Sequence, residues 1–152
     1  MFNISEVDKG NTDLARLVSE LDAFLSELYP AESNHLVDLS AVSGKQLRCV
    51  IIRDEGDTLA GCGALLFHED GSAEIKRVYI RPEYRGRKLG KRLISAIEEI
   101  ASENNSRLLQ LETGIYQQPA IALYRRCGYD MCDAFPPYKA EPLSVIMRKE
   151  LS

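Results

Sequence analysis

The spacing of apolar residues changes period several times along this chain, and each change marks an element. Residues 2–7 (Phe2-Asn3-Ile4-Ser5-Glu6-Val7) alternate apolar with polar and predict a short first strand. After Gly10 the period lengthens: Leu14, Leu17, Val18, Leu21, Phe24, Leu25 and Leu28 recur as on one face of a helix. Asn11 or Thr12 is placed to cap its start and Pro30 to end it. A shorter helical piece is expected over Leu36–Val42, stopped by Gly44. Leu47–Arg53 and Thr58–Phe67 are β-rich runs joined by Asp54-Glu55-Gly56-Asp57, which supplies turn chemistry for a hairpin. A second turn at Glu69-Asp70-Gly71-Ser72 leads into a run from Ala73 to Ile80, giving three antiparallel strands.

Beyond Pro82 the helical period returns, with Leu89, Leu93, Ile94, Ile97 and Ile100 on one face and an end near Asn104-Asn105. Leu108–Thr113 then reads as a strand, Pro119–Cys127 as a helix stopped by Gly128, and Tyr129–Phe135 and Ser144–Leu151 as the last two strands. The expected order is βααβββαβαββ, an α+β fold with helices packed on a central, mostly antiparallel sheet. Fixed-period repeats and a Gly, Pro or Ser-rich linker are absent, so one domain spanning residues 1–152 is expected. At 152 residues and 45% hydrophobic content a single core suffices without disulfides or a structural metal.

Composition narrows the function classes. Nineteen Lys and Arg against 23 Asp and Glu leave a net charge of −4, which argues against a general nucleic-acid binder. No apolar run approaches the roughly 18 residues of a membrane span, and the first residues lack a signal-peptide layout, so a cytoplasmic location is expected. The cysteines Cys49, Cys62, Cys127 and Cys132 form no C-x-x-C pair, and His35 and His68 adjoin none of them. No metal site is therefore expected, and the thiols read as reduced and mostly buried.

One stretch departs from the acidic average. Lys76 to Arg92 holds eight basic residues and a single acid, Glu83. A strand running through a Gly-containing turn into a helix start exposes unpaired backbone N–H groups at the positive end of the helix dipole, an arrangement that favours a phosphate. On spacing alone a solvated basic turn explains it equally well. Neither G-x-x-x-x-G-K-[ST] nor G-x-G-x-x-G occurs, which disfavours P-loop and Rossmann phosphate sites.

Val78-Tyr79-Ile80-Arg81-Pro82-Glu83-Tyr84-Arg85-Gly86-Arg87-Lys88-Leu89-Gly90 resembles the strand and [QR]-x-x-G-x-[GA] pyrophosphate loop of the GNAT superfamily of acetyl-CoA-dependent N-acyltransferases. A second stretch is similar to that superfamily's downstream signature: Leu111-Glu112-Thr113, Ala120-Ile121-Ala122-Leu123-Tyr124 and Cys127-Gly128-Tyr129. The element order agrees along nearly the whole chain. One position departs, Lys88 standing where the family has glycine; a helical conformation there would preserve backbone N–H donation.

The resemblance implies acetyl-CoA as cosubstrate and no metal. By matching position, main-chain groups of Val78, Tyr79 and Ile80 would meet the pantetheine arm. Arg85, Gly86, Arg87, Lys88, Leu89, Gly90 and Lys91 would cradle the pyrophosphate. The strands holding Ile75–Ile80 and Leu108–Thr113 would splay to admit the cofactor. Amine acetylation requires a neutral nitrogen, hence a proton acceptor. Glu74 matches the base of the histone-acetylating branch and Glu112 a proposed base of the ribosomal-protein branch. Either glutamate has a bland explanation, Glu74 as a solvated strand start and Glu112 as an ion-pair partner of Arg77 or Arg125. Tyr124 aligns with the tyrosine that protonates the departing thiolate, and a backbone N–H near Val78–Tyr79 would stabilise the oxyanion. Phe135-Pro136-Pro137-Tyr138 and Tyr116 are candidate walls of an acceptor pocket.

The leading expectation is an N-acetyltransferase acting on a small-molecule or peptide amine by direct transfer, since no cysteine matches a family nucleophile. A non-catalytic acyl-CoA-binding or sensing module is the alternative, and an RNA-binding domain using the Lys76–Arg92 patch is a third. No membrane partner is expected, nucleic acid is disfavoured, and a homodimer is left open.

Overall fold

The computed structural model describes residues 1–30, 46–135 and 141–151. Among the described residues, three helices pack on one twisted sheet of seven strands. The elements run β1 (Asn3–Val7), α1 (Thr12–Leu28), β2 (Leu47–Arg53), β3 (Leu59–Phe67), β4 (Ala73–Ile80), α2 (Leu89–Glu103), β5 (Leu108–Gly114), α3 (Gln118–Arg126), β6 (Asp130–Met131) and β7 (Ser144–Glu150). A 3-10 turn over Pro82–Tyr84 joins β4 to α2. The expected helix over Leu36–Val42 lies outside the described residues.

The strand order is β1-β2-β3-β4-β5-β7-β6, antiparallel throughout except for the central β4–β5 pair. Both faces of the sheet are covered, which is why β2 and β3 read as continuous apolar runs rather than alternating ones. On one face Leu14 and Leu17 of α1 pack with Leu47, Cys49, Ile51, Cys62 and Ala64. On the other, Leu89, Leu93, Ile94 and Ile97 of α2 and Ile121 of α3 pack with Val50, Ile52, Leu65, Ile75 and Leu111. Asn11 caps α1 through its side-chain oxygen, which accepts the N–H groups of Asp13 and Leu14 at 2.9 and 3.0 Å.

One expected strand is cut short. Tyr129–Phe135 pairs with β7 only at Asp130–Arg148 and Met131–Met147, with a last hydrogen bond from the Cys132 N–H to the Ile146 carbonyl. Tyr129 instead belongs to the α2-side core, where its hydroxyl donates to Glu98 at 2.7 Å. Phe135 is also buried, with its ring edge toward His68. Tertiary anchoring of these two aromatics mimicked strand alternation in the sequence.

Candidate active site

The two central strands part company after three residues. β4 and β5 pair in parallel at Ala73–Leu109, Glu74–Gln110 and Ile75–Leu111, and no further. From there β5 follows β7, as Glu112–Ile146 through Gly114–Ser144, while β4 follows β3. The opening is a gap of about 700 Å³, open solvent included, walled by Ile75, Lys76, Arg77 and Val78 of β4, Glu112, Thr113 and Gly114 of β5, and Tyr124 of α3. Leu21, Leu25 and Tyr29 close it from the α1 side.

A bulge shapes the β4 wall. Cys62 faces Tyr79 and Ala64 faces Lys76, so Arg77 and Val78 together stand opposite Gly63. Arg77 takes the left-handed conformation there, φ 52°. Its guanidinium, with the side chain 6% exposed, is held by Asp22 of α1 through an Nε–Oδ1 bond of 2.9 Å. Two residues on, the Tyr79 hydroxyl donates to Glu20 at 3.1 Å, and Arg81 pairs with the same carboxylate at 2.7 Å. These bonds tie the bulged strand to α1.

The basic stretch is thereby divided. Lys76, Arg77 and Arg81 are committed to carboxylates, and Arg85 donates from Nε to the Ile80 carbonyl at 3.0 Å. Arg87 lies over the Tyr84 ring, 5.6 Å from its centroid, while Lys88 and Lys91 are exposed. Gly86 turns the chain with φ 81° and Lys88 caps α2 with φ 61°, ψ 18°. Lys88 is thus left-handed rather than helical; it adopts the geometry for which glycine is normally used. The N–H groups of Leu89, Gly90 and Lys91 open the helix and have no acceptor within it, so the loop can receive an anion with main-chain donors and exposed cations together.

Gly90 serves a purpose other than admitting a phosphate. A Cβ built on it would stand 2.8 Å from Leu123 Cδ2, so its missing side chain lets α2 approach α3. That contact matters for the gap, because α3 carries Tyr124. Tyr124 is buried between Ile121 and the ring of Tyr129, and among the described residues its hydroxyl has no hydrogen-bond partner. Burial, with a smaller contribution from the Cys127 charge, pushes its phenol well above the ordinary value, so it is a proton donor at neutral pH.

The two glutamates have different surroundings. Glu112 is half-buried in the gap wall, where its Oε2 accepts from Ser144 Oγ at 2.8 Å. Glu74 is only 2% exposed, which removes the reading of a solvated strand start. Its Oε2 accepts from Lys76 Nζ at 3.0 Å and its Oε1 lies 3.1 Å from His68 Nε2. Lys76 faces the gap and Glu74 stands behind it, so Glu112 and Tyr124 line the opening directly and Glu74 does not. Arg77, offered as an ion-pair partner of Glu112, is drawn to Asp22. Of the acceptor-wall candidates, Phe135 is buried beside His68, Tyr116 is exposed next to Tyr29, and residues 136–138 lie outside the described residues. Among the described residues no group of three or more His, Cys, Asp or Glu side chains is arranged to hold a metal ion.

A model of the Acetyltransferase (GNAT) family matches residues 14–129, from α1 through Tyr129. The chain belongs to this acetyltransferase family. It is 43% identical over 139 residues to the IAA acetyltransferase of Azospirillum brasilense, covering 91% of this chain and 90% of that one. The uncharacterized N-acetyltransferase YsnE of Bacillus subtilis is 32% identical over 146 residues, covering 95% and 96%. The crystal structure of a proposed acyl-CoA N-acyltransferase from Klebsiella pneumoniae superposes with a TM-score of 0.91 at 38% identity, covering 100% of this chain and 99% of that one. The splayed β4–β5 pair and the loop from Arg85 to Lys91 both lie within the matched residues.

Sequence reasoning missed Tyr29, Asp22 and Ser144 as parts of the site. Leu21 and Leu25 were legible as an apolar helix face, and Tyr29 continues that stripe at the next interval of four. The ion pair between Asp22 and Arg77 spans 55 positions and left no local signal.

Proposed function

We propose that this chain transfers the acetyl group of acetyl-CoA to a primary amine directly, within a ternary complex. The observation that carries this reading is that Glu112 and Tyr124, a proton acceptor and a proton donor, both line one gap, where β4 ends its pairing with β5. Acetyl-CoA supplies an activated thioester. The chain's own groups supply the rest. Main-chain groups of Val78, Tyr79 and Ile80 hold the pantetheine arm, and Arg85 through Lys91 receive the pyrophosphate at the start of α2. Glu112, directly or through a water, takes the proton from the ammonium so that the nitrogen lone pair can attack the carbonyl carbon. A backbone N–H of the bulged Val78 region meets the oxyanion. As the C–S bond breaks, Tyr124 gives its proton to the sulfur, and the second proton of the nitrogen, acidic once the C–N bond has formed, returns through water to the Tyr124 phenolate, leaving the amide and the CoA thiol.

Direct transfer is favoured over an acetyl-cysteine route by the state of the thiols. No cysteine is among the gap-lining residues, and burial raises Cys49 to about 11 and Cys62 to about 12. The test is calorimetry with acetyl-CoA followed by thiol-release assays over a panel of amines. Binding together with thiol release that depends on an amine supports the reading. Binding with no release on any amine would identify an acyl-CoA-binding module instead, and salt-sensitive RNA binding indifferent to CoA would identify the basic stretch as a nucleic-acid surface.

A further inference from the structure

Leu21 and Leu25 of helix α1 and Tyr29, the extended residue that follows its last turn, close one side of the gap. Two of these are apolar and the third ends in a hydroxyl. Tyr29 is 7% exposed and lies against the end of β5, where a Cβ on Gly114 would stand 1.7 Å from its hydroxyl oxygen. That oxygen accepts the Tyr116 N–H at 3.1 Å, and the ring stacks on Tyr116 with centroids 5.4 Å apart and planes at 25°. The side chain is therefore fixed at both its ring and its oxygen. Among the described residues, its proton meets no acceptor.

The phenol is a donor across the working pH range, because burial raises its pKa and the Glu112 charge adds to the rise, against hydrogen bonds from Tyr116 and Gln117. It lines the same gap as Glu112, Lys76 and Arg77. Lys76 and Arg77 are paired from behind with Glu74 and Asp22, and Glu112 is the carboxylate among the described lining residues. The gap thus offers one carboxylate suited to a cationic nitrogen and, apart from it, a locked O–H donor suited to an oxygen with lone pairs and charge.

Resting on the N-acetyltransferase reading above, we propose that the acceptor is an aminocarboxylate, a small molecule bearing a carboxylate as well as its amine, and that the Tyr29 hydroxyl donates to that carboxylate. A plain amine would leave this buried donor unmatched. An aminocarboxylate presents its nitrogen to Glu112 and its carboxylate to Tyr29, which orients the nitrogen toward the thioester. Tyr29 is then a specificity residue whose contribution falls on one half of the acceptor.

The experiment compares matched acceptors, amino acids with their amides and their decarboxylated amines, by kcat/KM in the wild type and in Tyr29→Phe. The wild type is expected to favour the carboxylates by about 10-fold or more. Tyr29→Phe is expected to lower kcat/KM for the carboxylates by roughly 10- to 100-fold, mainly through KM, and for the decarboxylated amines by less than about 2-fold. Acetyl-CoA affinity stays the same. Equal use of all three acceptor types by the wild type, or an equal loss on all three in the variant, overturns the proposal while leaving N-acetyl transfer intact. If the variant does not fold, the wild-type preference decides alone. Acetyl-CoA binding with no acceptor of any type acetylated overturns the transfer reading and the proposal together.

Discussion

Gly90, the second residue of α2, approaches Leu123 of α3 so closely that a Cβ would lie 2.8 Å from Leu123 Cδ2 and 3.3 Å from Cδ1. The glycine therefore sets the distance between the helix that follows the basic loop and the helix that carries Tyr124. Gly90→Ala should destabilise the protein by about 1 kcal/mol, since the end of a leucine side chain can give way in part. Gly90→Glu should cost more and should weaken acetyl-CoA binding, but through helix displacement as well as charge. A double-mutant cycle with Leu123→Ala by urea denaturation checks this, and the penalty of Gly90→Ala should largely disappear in the Leu123→Ala background. Additive effects would place the strain elsewhere.

Lys88 occupies left-handed space that costs a residue with a Cβ roughly 1 kcal/mol relative to glycine, offset in part by the greater freedom glycine gives the unfolded chain. Lys88→Gly is accordingly expected to raise stability by up to about 1 kcal/mol. Its exposed ammonium adds only screened attraction, so acetyl-CoA affinity should change less than about 3-fold near physiological salt, with a larger change at low salt. Melting curves and calorimetry at two ionic strengths separate the two effects. A loss of affinity that is insensitive to salt would mean that the lysine makes a specific contact.

Most of the fold was legible because local and tertiary signals agreed. Leu47–Arg53 and Ala73–Ile80 end where their runs of β-formers end, and α1 begins beyond an asparagine that caps it. The glycine turn before α2 and the helix that carries Tyr124 were legible through motif spacing. What escaped depends on contacts between distant segments. The Tyr129–Phe135 alternation looked like a strand, yet its aromatics are set by Glu98 on α2 and by His68 after β3. The glutamates were indistinguishable in sequence, and became distinct only when folding placed Lys76 between Glu74 and the gap and left Glu112 on the wall. Tyr29, the residue that ends α1, is seated against the bare Cα of Gly114, a contact across distant segments.

The buried thiols give the stability a defined alkaline limb. Cys49 and Cys62 are held near 11 and 12 by burial, against about 8.5 in an unfolded chain. A folded pKa above the unfolded one means that the folded state keeps its proton longer, so stability is unaffected below about pH 8.5 and falls as pH rises toward 11–12. Buried tyrosines, Tyr124 and Tyr129, shift in the same direction and steepen the fall. The thiol share is isolated by comparing the wild type with Cys49→Ala/Cys62→Ala, whose urea midpoint should decline less between pH 8.5 and 11. At pH 8, thiol reagents should modify the partly exposed Cys127 and Cys132 first and reach Cys49 and Cys62 only on unfolding.

Tyr124, Glu112 and Glu74 should separate by how their losses respond to pH. Because burial keeps the Tyr124 phenol protonated, Tyr124→Phe should lower kcat by about 10- to 1,000-fold at every pH from 6 to 9, with acetyl-CoA affinity unchanged. Glu112→Gln keeps an oxygen for the Ser144 hydroxyl and should fold normally. Its rate should be lowest at low pH, where the acceptor is an ammonium, and should recover as rising pH supplies free amine. Glu74→Gln should first be a stability variant, because it removes the full carboxylate charge from a lysine whose side chain is only 6% exposed; a loss of about 3 kcal/mol is expected in urea denaturation. Measured on the folded fraction, its pH profile should parallel the wild type. Recovery at high pH in Glu74→Gln but not in Glu112→Gln would move the base behind Lys76, with the lysine carrying the proton between acceptor and carboxylate. Recovery in neither would leave proton removal to water held in the gap.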